Sequence, residues 1–333
     1  MANYICISRS GDGHYNLARD GFFLDNVKKG DVIMYFYVNS QAVIIGRNQN
    51  AWRECNISAL ERDGIQLVRR HTGGGAVYHD RGNLNFSFLM HESDYDLDRQ
   101  MRVITSAVES YGVKTERSGR NDVLLDGKKF SGNAYGLAKG NRSHHGTLLV
   151  NADLTHIGDY LNVSTEKMRA KGVESVRSRV CNLSEYIPDI SVEKVRKAVL
   201  KAFKAEYGDA VQYRFTEEEK KEIEARRKVQ SSWEWRFGKT PEFDCTVDHR
   251  YPFGEVQLHF NLKQGQVRSV KAYSDCLDTS LVGRVEEALA GARFTGSDLA
   301  SAIESYMLAN HGKNEAELSQ ISDYLRRNVP ENM

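Results

Sequence analysis

RRHTGGGAVYHDRGNLNFSF, residues 69–88, sets three consecutive glycines between a pair of arginines and two runs that read as strands. A loop that only turns rarely needs more than one or two glycines, because each extra one costs roughly 0.5–1 kcal/mol of chain entropy. Glycines in a row let several backbone N–H groups converge on one anion, since no Cβ blocks the approach and φ > 0 is open to them. Arg69 and Arg70 add the fixed cationic fork that suits a phosphate or a carboxylate. The run matches neither GxxxxGK[ST] nor GxGxxG, and a flexible turn is the plain alternative.

Outward from this loop, residues 1 to about 190 are rich in short strand-like runs: NYICIS, DVIMYFYV, QAVIIG, AVYH, NLNFSFLM, DVLL, KKFSGNA and GTLLV, separated by Gly, Asn and Asp. They predict a mainly antiparallel sheet. Helical periodicity interrupts it at LDRQMRVITSAVESYG (97–112) and SVEKVRKAVLKAFKAEYG (191–208), the second ending on a glycine stop. The charged segment TEEEKKEIEARRKVQSSWEWRFG (216–238) closes on two tryptophans, after which EVQLHFNLKQGQVRSVKAYS (255–274) alternates around a Gly-containing turn and three short helical patterns follow. The class is α+β: a large mixed or antiparallel sheet domain with helices, residues 1–245, then a small α+β domain, residues 246–333.

The 333 residues carry 46 Lys+Arg against 45 Asp+Glu, so no global field draws the chain to nucleic acid or to an anionic membrane. The five cysteines are odd in number and form no CxxC pair, which predicts thiols in a reducing compartment. No basic n-region and apolar h-region opens the chain, and its longest apolar run, VIMYFYV (32–38), is too short to span a bilayer. A cytoplasmic, soluble protein is expected.

A second informative stretch is SGRNDVLLDGKKFSGNAY, residues 118–135. Asp126-Gly127 is a strong two-residue hairpin signal. That turn would set Leu125 opposite Lys128, Leu124 opposite Lys129, Val123 opposite Phe130 and Asp122 opposite Ser131. Val123, Leu125, Lys128 and Phe130 then share a core face, and Asp122, Leu124, Lys129 and Ser131 the other. Lys128 reads as a solvated residue. Lys129, beside a carboxylate and a hydroxyl, suits an acyl-phosphate transfer in which it neutralises developing charge. His144 and His145 point oppositely on a strand, so they do not suit one metal ion, and one histidine lining a pocket fits better.

With these stretches in view, the sequence resembles the lipoate–protein ligases of the two-domain bacterial type over nearly its whole length. The motifs are IGRNQNAWRECN (45–56), RRHTGGGAVYHDRGN (69–83), SGRNDV (118–123), DGKKFSGNAY (126–135), HHGTLLVNADL (144–154), AKGVESVRSRVCNL (170–183) and QSSWEWRFG (230–238). The resemblance implies the biotin/lipoate ligase-like fold and activation of lipoate by ATP to lipoyl-adenylate. Transfer to a lysine of lipoyl domains would follow, on E2 subunits of 2-oxoacid dehydrogenases and on the glycine cleavage H protein. It marks Lys129 as the catalytic lysine, contacting both the carboxyl and the α-phosphate, and Arg70 with Gly75, Ala76, Val77 and Tyr78 as nucleotide and adenylate elements. Gly74, Asn83 and Asp122 join the nucleotide site in our reading, Asp122 through Mg²⁺ carried by ATP. Arg70, Val77, His79, Lys129 and His145 are the lipoate-site candidates.

One departure stands out. Where the family reads NLA, an apolar residue and two acids, this chain has NLARDG (16–21), with Arg19 and Gly21 in unusual positions beside the acyl pocket, which leaves lipoate against octanoate preference open. An octanoyl or lipoyl transferase would need a nucleophilic cysteine after the HHGTLL strand. There the chain reads LNVSTEKMRAKGVESV, and Cys181 comes late. Biotin ligases carry a different glycine-rich signature, and no basic DNA-binding pattern supports a lipoate-sensing repressor. The TPEFDCTVDHR segment (240–250) is expected to hinge the small domain between the two half-reactions.

Overall fold

The computed structural model describes residues 2–119, 121–162, 180–237, 245–263 and 265–329. The expected hinge and the AKGVESVRSRVCNL motif lie partly outside the described residues. Two compact units are formed, the first of Met1–Ile45, Ala51–His71 and Ala76–Arg236, the second of Gly46–Asn50, Thr72–Gly75 and Phe237–Met333.

The strands of the first unit are, in chain order, β1 Asn3–Ile7, β2 Val32–Tyr37, β3 Ala42–Ile45, β4 Gln66–Arg69, β5 Val77–His79, β6 Asn83–His91, β7 Thr115–Ser118, β8 Asp122–Leu125, β9 Lys128–Ala138, β10 Asn141–Leu149 and β11 Val211–Gln212. Eight of them form one mixed sheet in the order β11-β1-β2-β6-β10-β9-β8-β7, parallel across β11-β1-β2 and antiparallel elsewhere. A smaller sheet, β4-β3-β5, carries the chain into and out of the glycine loop.

Alternation along β6 gives the large sheet two different buried faces. Leu84, Phe86, Phe88 and Met90 pack with Met101, Ile104, Val199 and Phe203 of the Leu97–Glu109 and Val192–Tyr207 helices. Asn83, Asn85 and Ser87 alternate with them and are equally buried. On that second side Leu89 joins Tyr35, Tyr37 and the Gly13–Asn26 helix, whose Leu17, Phe22 and Phe23 share one core with Ile223 of the Glu217–Ser231 helix. The Gly13–Asn26 helix starts where Asp12 accepts the N–H groups of His14 and Tyr15. It is buried nearly all round, so it shows no apolar stripe by which its sequence would announce a helix.

At the 126–127 turn, Asp126 has φ 47° and Gly127 φ 74°, the pair of positive values a type I′ hairpin requires. Leu125 then pairs with Lys128 and Leu124 with Lys129, as the turn dictates. Beyond them the register departs from expectation: Val123 pairs with Ser131 and Asp122 with Gly132 across a bulge. Phe130 is the extra residue, and both it and Ser131 are wholly buried, so Ser131 does not share the face of Lys129.

In the second unit β12 Cys245–Tyr251, β13 Gly254–Lys263 and β14 Gln266–Ser274 form an antiparallel meander. The helices Leu281–Leu289, Gly296–Ala309 and Glu315–Asn328 pack Val285, Leu299, Ile303, Leu318 and Ile321 with Phe260 of the sheet and Phe294.

A Cβ at Gly146 of β10 would stand 2.5 Å from Phe86 Cζ, 2.7 Å from Asn133 Oδ1 and 2.9 Å from the Gly132 carbonyl, in the middle of the sheet. Gly146→Ala is therefore expected to destabilise the protein by about 1–3 kcal/mol, the usual cost of overpacking a core. Gly158→Ala, where a Cβ meets nothing within 4 Å, is expected to melt close to wild type. Thermal denaturation separates the two; an unchanged melting temperature for Gly146→Ala would mean the strands spread freely.

Candidate functional site

The second face of the large sheet is polar where sheets are ordinarily apolar. In register, Ser87 of β6 lies between Tyr35 of β2 and His145 of β10, and Asn85 lies between Tyr37 and Thr147. Asn85 donates to the Tyr37 carbonyl at 3.3 Å and accepts from Asn83 Nδ2 at 3.2 Å. From the covering helix, Asp20 brings Oδ2 to 3.7 Å from His145 Nδ1, beyond hydrogen-bonding distance. Asp20 Oδ1, His79 Nε2, Asn83 Oδ1 and Ser87 Oγ are buried and accept or donate nothing among the described residues. Buried polar groups are rarely left so, since each costs about 1–3 kcal/mol unpaired. Together they leave hydrogen-bonding capacity unmet that a polar ligand group could satisfy.

Next to this face, on β9, the Lys129 ammonium sits 2.6 Å from Asp122 Oδ1, with both side chains about one-third exposed at 32% and 36%. An ion pair that open to water contributes at most about 1 kcal/mol, so stability does not explain its placement. The Lys129 backbone is fixed by Cys181, whose N–H donates to the Lys129 carbonyl at 2.9 Å. Asn121 and Asn133 brace the strands beside the pair: Asn133 N–H donates to Asn121 O at 2.8 Å and Asn121 Nδ2 to Asn133 O at 3.0 Å. Lys128 is exposed.

The two arginines before the glycines divide their work. Arg69 donates to the Trp235 carbonyl at 2.9 Å and the Arg236 carbonyl at 2.6 Å, and its own carbonyl accepts from the Trp235 indole at 2.9 Å. It is committed to the WEWRF turn. Arg70 is buried, donates to Ile44 O at 3.3 Å, and lies close enough to raise the electrostatic potential at His79 and Tyr37. On β5, Val77 is exposed and Tyr78 stacks on Tyr160 at 5.5 Å, with Ala76 half-buried just before them.

Gly74 and Gly75 belong to the second unit, with Gly73. There the three glycines answer to different needs. A Cβ on Gly73 would strike the Cys276 and Leu277 carbonyls at 2.2 and 2.7 Å, whereas Gly74 has φ 92° and its N–H reaches Cys276 O at 3.4 Å. At Gly75 a Cβ meets nothing within 4 Å.

The histidines separate by strand face. His144 lies in the apolar core, stacked on Phe88 at 5.6 Å, with Nε2 2.8 Å from Asn133 Oδ1 and Nδ1 2.9 Å from Gln100 Oε1. Asn133 Nδ2 is committed to Asn121 O at 3.1 Å, so Asn133 Oδ1 accepts from Nε2–H; a neutral His144 is then matched at Nδ1 when the Gln100 amide presents its NH2 there, the O/N orientation of an amide being an assignment. His145 faces Asp20 on the polar side. Burial, reinforced by Arg70 and His145, pushes His79 down to about 3. Its Nδ1 meets Asn39 Nδ2 at 3.2 Å, and Asn39 Oδ1 accepts from Asn16 Nδ2 at 2.9 Å. That chain makes His79 Nδ1 an acceptor and leaves Nε2–H as a buried donor.

The unusual NLARDG residues have packing roles. Arg19 donates to Tyr15 OH at 2.6 Å, and its guanidinium lies 4.7 and 4.8 Å from the Tyr15 and Phe215 ring centres. Gly21 makes room for His71, whose Nε2 would stand 2.9 Å from a Cβ there. Sequence reasoning missed Asn39, Asn85 and Ser87; for the last two the signal was in NLNFS (83–87), where polar residues alternate with large apolar ones inside a run that has no exposed face.

Residues 12–204 match the family profile of the lipoyl protein ligase A/B catalytic domain, and residues 240–325 that of the bacterial lipoate protein ligase C-terminus. The chain is 37% identical over 333 residues to a lipoate-protein ligase A of Bdellovibrio bacteriovorus, covering 98% of each. Its structure is similar to that of P. falciparum LipL1 in complex with lipoate, with a TM-score of 0.85 at 26% identity, covering 98% of this chain and 100% of that one. It is also similar to a lipoate-protein ligase A bound with ATP, with a TM-score of 0.63 at 28% identity, covering 72% of this chain and 99% of that one.

Stability should report the buried imidazoles. Burial lowers both His79 and His144 to about 3. An unfolded histidine titrates near 6.5, so below about 6.5 the unfolded chain binds protons the folded one refuses. Stability is full above that pH and is lost as pH falls toward about 3, by up to ~1.4 kcal/mol per pH unit per histidine. Urea titrations of His144→Gln between pH 7 and 5 should show a shallower decline than wild type. Equal slopes would mean that His144 is already protonated in the fold.

Proposed function

Because the chain belongs to the lipoyl protein ligase A/B family, we propose that it is an ATP-dependent lipoate–protein ligase that works through lipoyl-adenylate. The lipoate carboxylate attacks the α-phosphorus of ATP, the bond from that phosphorus to the leaving pyrophosphate breaks, and lipoyl-AMP forms. A lysine amine of a lipoyl domain then attacks the acyl carbon, AMP departs, and the amide nitrogen loses a proton. The acceptors are E2 subunits of 2-oxoacid dehydrogenases and the glycine cleavage H protein, in a cytoplasmic setting. Residues 1–245 carry the activation chemistry and residues 246–333 form an accessory domain.

The observation that carries this reading is Lys129, an ammonium fixed on a braced strand and still one-third exposed. In adenylation it offsets the negative charge that gathers between carboxylate and α-phosphate, and in transfer the charge on departing AMP. Arg70 holds the same anionic region, with Ala76, Val77, Tyr78 and Asn83 lining the adenylate. The bare main chain of Gly74 and Gly75 suits a phosphate. His79 offers Nε2–H to the lipoate carboxylate, and His145 and Val77 line the acyl site. Among the described residues no group of three or more His, Cys, Asp or Glu is placed to cage a metal. Mg²⁺ arriving on ATP draws most of its ligands from phosphates and water, and Asp122 is the carboxylate the chain would add.

A cysteine-thioester transferase finds no support at Cys181, which is wholly buried, has its thiol on the Lys128 carbonyl at 3.5 Å, and is pushed up to about 11 by burial. Such a thiol is a poor nucleophile at neutral pH.

Lipoate-dependent exchange of pyrophosphate into ATP tests the reading. Wild-type protein should show it, Lys129→Ala should lose about 10²–10³-fold or more, and Lys128→Ala should stay near wild type. Exchange that ignores lipoate, or an active Lys129→Ala, would refute the proposal.

A further inference from the structure

We propose that Gly132 is the residue that positions the reactive lysine: the space its missing Cβ leaves is the space Lys129 occupies to reach Asp122. The bulge at Phe130 brings Gly132, rather than Ser131, opposite Asp122. A Cβ on Gly132 would stand 2.9 Å from both Cε and Nζ of Lys129, closer than real Cβ atoms come to any neighbour. Its other near neighbour is Thr147 Oγ1 at 3.9 Å, an ordinary contact. Lys129 thus crosses directly over Gly132, and its ammonium ends 2.6 Å from the Asp122 carboxylate on the next strand.

Gly132 has no conformational reason to be glycine. Its φ lies outside the left-handed region, and its N–H makes a strand-to-strand contact with Thr147 Oγ1 at 3.3 Å that alanine would keep. Gly146, which pairs with the next residue, Asn133, across the ladder, is different, since a Cβ there strikes a phenylalanine ring and a backbone carbonyl. A methyl group at 132 meets only the far end of a flexible chain. It can be accommodated by swinging the lysine away, which leaves the fold intact and takes the ammonium off its mark. Gly132 touches no reacting atom and acts through Lys129.

This inference rests on the ligase reading for its kinetic consequence but not for its geometric one. Zero-length carbodiimide coupling reads the geometry directly: Asp122 and Lys129 in contact become an amide, the carbodiimide taking up the water as a urea. Wild-type protein should yield the Asp122–Lys129 cross-linked peptide, and Gly132→Ala should lose it. In the exchange assay Gly132→Ala should fall about 10²-fold in kcat, the cost of roughly 1 Å of misplacement, with a smaller change in KM for ATP. Melting temperatures supply the control: Gly132→Ala introduced into Lys129→Ala should change nothing, because the atoms it strikes are gone. A retained cross-link, a kcat near wild type, or an equal loss of melting temperature in both backgrounds would each overturn the proposal. Absence of lipoate-dependent exchange in wild-type protein that still cross-links would instead sink the ligase reading alone.

Discussion

Two glycines on neighbouring strands govern the first unit. Gly146 lets β10 lie flat against the Phe86 ring on the apolar side of the sheet, and Gly132 leaves room for a lysine on the other. The carbonyl of Gly132 lies 2.9 Å from where a Cβ of residue 146 would be, so β10 could not carry a larger residue there without the strands parting, whereas a side chain at 132 would displace only the end of Lys129. Strand spacing here sets both the packing of the apolar core and the reach of Lys129 to Asp122. The pair gains at most about 1 kcal/mol from being there, too little to hold the strands in place. Backbone and packing hold the pair.

Beside it, the sheet is unusual in having two buried faces of different chemistry. One is closed by Phe86, Phe88 and the Phe203 helix, with His144 among them and its protonation disfavoured by burial. The other sets Asn83, Asn85, Ser87 and His145 beneath the Gly13–Asn26 helix, and Asn83 Oδ1 and Ser87 Oγ find no hydrogen-bond partner among the described residues. Leaving such groups unpaired would cost several kcal/mol in total, a large part of the net stability of a domain. On the proposed reading a bound carboxylate accepting from His79 Nε2–H would recover some of that cost, which would couple binding to stability at this face.

Much of this was legible in the sequence. The Asp126-Gly127 turn fixes the hairpin and the first two cross-strand pairs, because two positive φ values leave few residue choices. The adjacent histidines divide between faces as strand alternation requires. What could not be read there has identifiable causes. The bulge at Phe130 depends on which of Phe130 and Ser131 the core accepts, and it accepts both. The Gly13–Asn26 helix hides because it is wrapped on all sides, and the NLARDG residues that looked anomalous are packed: Arg19 on an aromatic wall, Gly21 under His71. The glycine triplet read as a single device, yet Gly73 is required by the Cys276 carbonyl and Gly74 by its φ of 92°. Contacts between distant stretches of chain decide such cases, and local pattern does not record them.

On the proposed reading, Lys129 stands beside Asp122 to serve the acyl-phosphate centre. A crystal structure of the full chain with a non-hydrolysable lipoyl-adenylate analogue tests it most directly. The expected result is Lys129 Nζ within about 3 Å of both the acyl oxygen and the oxygens at the phosphate position, the geometry that a charge-stabilising donor requires. An analogue bound elsewhere, with Lys129 still on Asp122 and out of hydrogen-bonding reach of the ligand, would contradict it.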